Sequence, residues 1–296
     1  MTLDQMRVLI AVAELGSFSA AGRRLSRVQS AISQTIGVLE GDLKLELFDR
    51  SGKKPVLTEA GKAILEEARD LLHRAERLRA RADAIARDVE PEMTLAADAM
   101  FPEEPMMASL KAFSREFPTV PVTLFTENLG GPEYWLREGG ARLGLYAPRV
   151  TGIAGLESEY LVSIPLIPVV AADHPLAALA GPVTRDDLLD QVQLVLTDRT
   201  SVSAGGSIGV VSNRIWRFAD IGLRLKYLLA GFGWCNMPSH LVETHIAAGR
   251  LKRLVLKELG GRTNSFPIHA IYQPGRAPGR AGRWLIDDLK RRLHTE

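Results

Sequence analysis

Three short helical patterns follow one another in the first 40 residues of the chain. In each pattern, apolar residues recur at the spacing of one helix face. Thr2 and Gln5 form a capping box at the start of the first pattern, and Gly16 ends it. A second capping box, of Ser26 and Gln29, is expected to start the third pattern. Short helices joined by such tight turns predict either a plain helical hairpin or a helix-turn-helix.

The third pattern has an apolar face and a polar face. Ile32, Ile36 and Leu39 share the apolar face, which is expected to be buried. The opposite face carries side chains that can hydrogen-bond to base edges. Within this third pattern, no acid precedes Glu40 to repel phosphates. These candidate DNA-contacting residues are Gln29, Ser30, Ser33 and Gln34. Taken alone, the segment favours a plain helical hairpin with a polar exposed side, but the residues that follow favour DNA binding.

A basic turn between two short apolar segments follows at residues 45–57, and this pattern is typical of a β-wing. Such a wing places cations on the sugar-phosphate backbone beside a recognition helix. Arg27, which precedes the third helix, is a further candidate. The basic candidates are Arg27, Arg50, Lys53 and Lys54. Together these features predict a winged helix-turn-helix domain over residues 1–60 that binds double-stranded DNA.

A seven-residue repeat runs through the next segment, residues 61–90, after Thr58 caps a long helix. Small residues occupy one position of the repeat, and large aliphatic residues occupy another. The large residues are Ile64, Leu71, Leu78 and Ile85. A heptad repeat favours pairing with the same helix of a second subunit, whereas a period of 3.6 residues would indicate a helix packed on its own domain.

The stretch over residues 1–65 closely resembles the LysR family of bacterial transcription regulators. The resemblance lies in the order and spacing of Ser17-Phe18-Ser19-Ala20-Ala21, Leu25-Ser26, Gln29-Ser30-Ala31-Ile32-Ser33, Leu39-Glu40, Leu47-Phe48-Asp49-Arg50 and Leu57-Thr58-Glu59-Ala60-Gly61. It implies a winged helix-turn-helix followed by a linker helix that pairs two subunits, with Gln29, Ser33 and Gln34 facing bases. Many members of the family carry Arg where this chain has Gln34.

Beyond Pro91, short β-rich runs alternate with helical patterns, which predicts an α/β domain over residues 91–296. A weaker resemblance to the family's effector domain lies in His174-Pro175-Leu176-Ala177, Gly231-Phe232-Gly233-Trp234, Met237-Pro238 and Ala248-Gly249-Arg250-Leu251. It implies a periplasmic-binding-protein-like fold with two α/β lobes around a cleft. The expected lobes are residues 92–161 with 268–296, and residues 162–267, joined by two crossing strands.

The resemblance also places a small-molecule effector between the lobes. The candidate effector-binding residues are Asp98, Met100, Phe101, Thr200, Ser201, Ser203 and Trp216. Asp98, with Glu103 and Glu104 nearby, disfavours a simple anion as the ligand. Met100, Phe101 and Trp216 are candidates for the lining of an apolar pocket, although residues of these types in such lobes more often belong to the plain core.

Composition and motifs argue against other classes of protein. The chain is 46% hydrophobic and 24% charged, as in ordinary soluble proteins, and its net charge of +2 does not by itself indicate a polyanion partner. The longest apolar run contains two prolines and is too short to span a membrane. With a single cysteine, Cys235, and no export signal, we expect a cytoplasmic protein rather than a secreted solute-binding protein.

Motifs of catalysis, nucleotide binding and metal binding are not recognisable in the sequence, so we expect no enzyme and no cofactor. The sequence predicts a transcription regulator with a winged helix-turn-helix, a linker helix and a two-lobed α/β effector-binding domain. Its expected partners are promoter DNA, a small-molecule effector, RNA polymerase and further copies of itself in a homodimer or homotetramer.

Overall fold

The computed structural model describes residues 1–52, 54–86, 89–148, 155–197, 199, 209–257 and 264–294 of the 296 residues. Within the long helix, the side chains of residues 77, 84 and 85 are not described. The chain divides into two compact units, Met1–Arg87 and Asp88–Glu296.

The first unit begins with three short helices, which the sequence predicted. They are α1 (Leu3–Leu15), α2 (Phe18–Arg24) and α3 (Gln29–Leu43). The capping box of Thr2 and Gln5 is present, with the Gln5 side chain accepting a 2.7 Å hydrogen bond from the Thr2 backbone N–H. Gly16 ends α1 with a φ of +59°, in the left-handed region that glycine adopts most readily.

The predicted capping box of Ser26 and Gln29 is wrong. Ser26 has a φ of +56°, whereas a residue that caps the start of a helix has an extended backbone. The Arg27 N–H donates to the Gly22 carbonyl at 2.8 Å, so Ser26 and Arg27 close the end of α2. Val28 then precedes α3 without a side-chain cap. The serine therefore ends one helix and cannot also begin the next.

Strands β1 (Phe48–Asp49) and β2 (Val56–Leu57) pair antiparallel as the predicted wing, and α4 (Glu59–Ala86) follows. The core of this unit combines apolar side chains of α1, α2 and α3 with Leu47 and Phe48 at the wing. The start of α4 completes it, because Leu65 and Ala68 belong to the same cluster.

The second unit contains nine strands and six α-helices among the residues that are described. The strands are β3 (Met93–Asp98), β4 (Val122–Glu127), β5 (Leu143–Tyr146), β6 (Glu157–Ala171), β7 (Val192–Leu196), β8 (Arg214–Phe218), β9 (Trp234–Pro238), β10 (Leu251–Arg253) and β11 (Asn264–Tyr272). The helices are α5 (Glu103–Glu116), α6 (Gly131–Arg137), α7 (Arg185–Leu189), α8 (Ile221–Leu229), α9 (Ser239–Ala247) and α10 (Arg280–Leu293).

These nine strands form one continuous sheet in the order β4-β3-β5-β11-β6-β9-β7-β8, with β10 also paired to β6. Parallel strands lie at both ends, β3 with β4 and β5, and β7 with β8 and β9. The two long strands β6 and β11 pair antiparallel in the middle and connect the two groups. The mixed α/β fold with two lobes, predicted from the sequence, is confirmed.

Candidate DNA-binding surface and ligand cavity

The exposed side of α3 carries the polar residues that the sequence singled out. Ile32, Ile36 and Leu39 are fully buried beneath it. Gln29, Ser30 and Gln34 are exposed, and Ser33 is partly exposed. Because these residues recur on one face of a helix whose other face forms the core, their hydrogen-bonding groups point away from the domain. We call this face the polar face of α3.

Arg27 lies beside this face but is held by an acid from another helix. Its guanidinium donates to both carboxylate oxygens of Asp4, at 2.8 and 2.9 Å. The hydrogen bonds from Arg27 hold the pKa of Asp4 below its usual value, and they raise that of Arg27. Both side chains stay about half exposed, at 42% for Arg27 and 48% for Asp4, so solvent still reaches the pair.

Arg50 at the base of the wing is paired in the same way. Its guanidinium donates to Glu40 at 2.8 Å and lies 5.1 Å from the centre of the Phe18 ring. The same Glu40 accepts hydrogen bonds from the Leu47 and Phe48 backbone N–H groups, so it ties the wing to α3. Lys54 is exposed at the wing, whereas Lys53 lies outside the described residues.

The large residues of the seven-residue repeat, which were predicted to pair with a second subunit, lie in different environments along the linker helix α4. Ile64 packs against the core of the first unit, and Gly61 meets the Leu47 carbonyl so closely that a Cβ would lie 2.1 Å from its oxygen. Ile64 is therefore not available for pairing with a second subunit. The first turns of α4 follow the 3.6-residue period of a helix that lies on its own domain. Leu71 and Leu78 are 39% and 70% exposed, and the Ile85 side chain is not described.

A cavity of about 500 Å³ lies in the second unit, among loops and strand ends of both groups of strands. Met100, Leu129 and Ala147 contribute from the β3–β5 side, and β7 contributes from the other. Leu166 of β6 and Phe266 of β11 lie at the crossing strands between them. Its volume is typical of small-molecule sites.

Of the predicted effector-binding residues, Met100 lines this cavity. Asp98 and Phe101 are buried beneath it, at 2% and 4% exposure, and are not in its wall. Asp98 accepts hydrogen bonds from the backbone N–H groups of Met100 and Leu129 at 2.8 and 3.1 Å. Burial raises the pKa of Asp98 to about 7, although these two hydrogen bonds oppose the rise. Thr200, Ser201 and Ser203 lie outside the described residues.

The prediction that Trp216 lines the pocket is wrong. Successive side chains of a strand point to opposite faces of the sheet, and on β8 it is the next residue, Arg217, that reaches the cavity. Trp216 is 41% exposed and packs against Tyr227 and Phe232, with ring centres 6.3 and 5.3 Å away.

Arg224 of α8 also lines the cavity, and the sequence analysis missed it. It is 6% exposed, and its Nε and one terminal nitrogen donate to the backbone carbonyls of Leu194 and Asn236, each at 2.9 Å. The sequence did carry a signal. Arg224 falls at the buried spacing of α8, between Ile221 and Leu228, where an apolar residue is normally expected.

Comparison with known proteins identifies the class to which these two units belong. Residues 3–62 match the model of the bacterial regulatory helix-turn-helix proteins of the lysR family, and residues 86–294 match the LysR substrate binding domain. The chain therefore belongs to the LysR family of transcription regulators, which bind DNA.

Named relatives agree with this assignment. The chain is 30% identical to the probable HTH-type transcriptional regulator YhaJ of Escherichia coli K12 over 255 residues, covering 85% of each chain. It is 27% identical to YeeY of the same strain, covering 97% of this chain and 92% of that one. These relatives are named as transcriptional regulators. Because the chain belongs to the same family, it is not an enzyme.

Solved structures show the same fold. A mutant of OxyR from Corynebacterium glutamicum has a TM-score of 0.63 at 21% identity, covering 99% of this chain and 93% of that chain. DarR of Vibrio fischeri, solved in complex with DNA, has a TM-score of 0.50 at 18% identity, covering 98% of each chain. Among the residues described here, no helix has the length and apolar character needed to cross a membrane.

Proposed function

We propose that this protein binds operator DNA as a dimer through the polar face of α3 and the wing, and that a small molecule in the cavity controls its activity. In this proposal, residues 1–60 bind DNA, residues 61–90 link two subunits, and residues 91–296 bind the effector. The observation that carries it is the polar face of α3, which is exposed directly above a fully buried apolar face.

The polar face supplies donors and acceptors suited to base edges in a major groove. Gln29 and Gln34 each offer an amide that can bond to adenine with two hydrogen bonds, and Ser30 and Ser33 bond to either kind of base. Arg50 and Lys54 lie on the wing side, where contacts with phosphates add affinity rather than sequence choice. The DNA bound by DarR supports the same use of this fold here.

Pairing of two subunits through α4 is supported by its exposed leucines. Leu71 and Leu78 lie one heptad apart, and a helix that stays alone in water has little reason to expose both. Because Ile64 is occupied by the core of its own domain, we place the proposed contact on α4 from Leu71 onward. A tetramer, contact with RNA polymerase and a cytoplasmic location stay expectations from the sequence.

The DNA proposal is tested by a gel-shift titration of the full chain on its own promoter DNA and on random DNA. Gln29→Ala and Ser33→Ala should each weaken specific binding by about 1–3 kcal/mol and leave random DNA nearly unchanged, because base contacts specify sequence. Gln191→Ala, which removes an amide from the second unit, serves as the control. Equal losses on both DNAs would show that the polar face does not read bases.

Sizing chromatography tests the pairing of subunits. Leu78→Glu should yield a folded monomer that no longer binds the operator, because a carboxylate in the contact would have to lose its water without a partner. Ala80→Glu adds the same charge on the far side of α4 and should stay dimeric. If Leu78→Glu remains dimeric and binds normally, the exposed leucines do not form the contact.

A further inference from the structure

We propose that the cavity of the second unit binds an organic anion, with its acidic group against Arg224 and Arg217 and an apolar body against the rest of the wall. This inference rests on the proposed effector function of the cavity and goes beyond it by naming the chemical class of the ligand. It modifies the expectation from the sequence, which disfavoured a simple anion as the ligand.

The strongest support is the environment of Arg224. Arg224 as a whole residue is 6% exposed, so its charged group loses most of its water, and such a charge is normally compensated by an acid. Within the described parts of the chain, Arg224 has no ion-pair partner. Its hydrogen bonds to the Leu194 and Asn236 carbonyls satisfy two of its nitrogens and fix the plane of the guanidinium beside the cavity.

Arg217 adds a second positive charge to the same wall. It belongs to β8, whereas Arg224 belongs to α8, so two separate elements each contribute an arginine to the wall of one cavity. Among the wall residues that the structure describes, the two charged ones are arginines and none is an acid. Arginine forms paired hydrogen bonds with carboxylate, sulfonate or phosphate oxygens, so the charge of the wall calls for a ligand that brings its own negative group.

The acids that argued against an anion are not in the wall. Asp98 turns its carboxylate to the backbone N–H groups of Met100 and Leu129, below the cavity surface. The remaining wall is largely apolar and includes Met100, Leu166 and Phe266. A ligand that fills the volume therefore needs an apolar body as well as an acidic group, and a small inorganic ion would leave most of the wall without contact.

Fluorescence titration of the full chain with two dyes tests this inference. Anilinonaphthalene sulfonate carries an aromatic body and an anionic group, and phenylnaphthylamine carries the same rings without the charge. Arg224→Gln and Arg217→Gln should each weaken binding of the sulfonate by about tenfold or more, since a hydrogen-bonded charge contact is worth at least that. Neither should change binding of the neutral dye.

Two further variants locate the binding site. Val210→Trp fills the cavity from its wall and should remove binding of both dyes. Arg214→Gln removes the same charge from β8 on the face opposite Arg217, so it should leave both titrations unchanged. Because Arg224 also joins β7 to β9 through its carbonyl contacts, Arg217→Gln decides the matter if Arg224→Gln does not fold.

The outcomes separate this inference from the proposed function. If Val210→Trp removes both dyes but the arginine variants bind the sulfonate like the unaltered protein, the cavity binds ligands and the anion assignment is wrong. If Val210→Trp changes neither titration, the cavity does not take such ligands, and both the anion assignment and the effector function of this cavity fail.

Discussion

The candidate DNA-binding surface of the winged unit and the cavity of the second unit use arginine in opposite ways. In the winged unit, Arg24, Arg27 and Arg50 each lie within 2.8 Å of a carboxylate oxygen, from Glu14, Asp4 and Glu40 respectively. In the cavity of the second unit, Arg217 and Arg224 have no such partner among the residues that the structure describes. The arginines of the winged unit are therefore paired with acids, whereas those of the cavity have no acid beside them among the described residues.

This difference matters for what each surface binds. A DNA phosphate that meets Arg27 or Arg50 must displace an acid, so the net gain in affinity is smaller than for a free arginine, and part of it depends on salt. A ligand that meets Arg224 displaces no acid and instead supplies the missing charge. The comparison therefore predicts that acids of the winged unit restrain DNA binding, whereas the charge of the cavity selects its ligand.

The largest effect, on the free energy of unfolding, is expected from a third group of charges, which lies in the second unit and pairs an arginine with an acid. It tests whether the pairing of an arginine depends on the unit to which it belongs or on the degree to which it is buried. Glu159 accepts hydrogen bonds from Arg283, Lys290 and the Tyr272 hydroxyl. Burial alone would raise its pKa, but these contacts outweigh burial and lower the pKa to about 2. Glu159→Gln should lower the free energy of unfolding at neutral pH by about 2 kcal/mol.

The pH dependence of this effect has a definite sign. A carboxylate whose pKa is lower in the folded state stabilises the fold above its ordinary pKa, and that contribution is lost as the pH falls through the folded value. The difference between the unaltered protein and Glu159→Gln should thus be constant at neutral pH and shrink between about pH 4.5 and 2, as followed by chemical unfolding. A difference that is absent at neutral pH would mean that the ion pairs of Glu159 contribute little to folding.

An intermediate effect is expected on DNA binding when Arg27 is released from its acid. Asp4→Asn removes the partner that holds both terminal nitrogens of Arg27. It should tighten binding to any DNA by about threefold to tenfold and steepen the salt dependence by about one phosphate contact, because Arg27 becomes free to meet the backbone. Binding at several salt concentrations measures both quantities.

Asp70→Asn is the matched control for net charge, since it removes an exposed acid from α4 in the same unit. It should change affinity less than Asp4→Asn and leave the salt slope nearly unaltered. If the two variants behave alike, Arg27 does not contact phosphate, and its pairing with Asp4 has no bearing on DNA.

These pairings also show where sequence reasoning succeeds. The helices of the winged unit follow from caps and apolar spacing, which are local properties, and the core residues Ile32, Ile36 and Leu39 were predicted from spacing alone. The windows that looked purely basic were less informative. Asp4 lies 23 residues before Arg27 in the chain, so only the packing of α1 against α3 reveals that the charge is neutralised.

The cavity was harder to predict for the same reason. Its wall combines residues from β6, β7, β8, α8 and β11, which lie far apart in sequence and meet only through the sheet order. Trp216 was a candidate for the pocket and Arg217 was not considered, because the direction of a side chain on an edge strand depends on register. Ser26 failed as a helix cap because the backbone of the preceding turn already fixed it in the left-handed region.

The smallest effect is expected from the Arg27–Asp4 pair on folding itself. Both side chains are about half exposed, and exposed pairs of this kind contribute little to stability because water and salt screen them. A double-mutant cycle with Arg27→Ala and Asp4→Ala, measured by chemical unfolding at moderate salt, should give a coupling of about 0.5 kcal/mol or less. Such a weak coupling is what the comparison requires, since a phosphate can then replace Asp4 at little cost to the fold.

A coupling of about 2 kcal/mol or more would instead make the pair a structural link between α1 and the turn before α3, comparable in strength to hydrogen bonds of buried charges. Arg27 would then be unavailable to DNA, and the wing would have to supply the phosphate contacts on that side of the polar face.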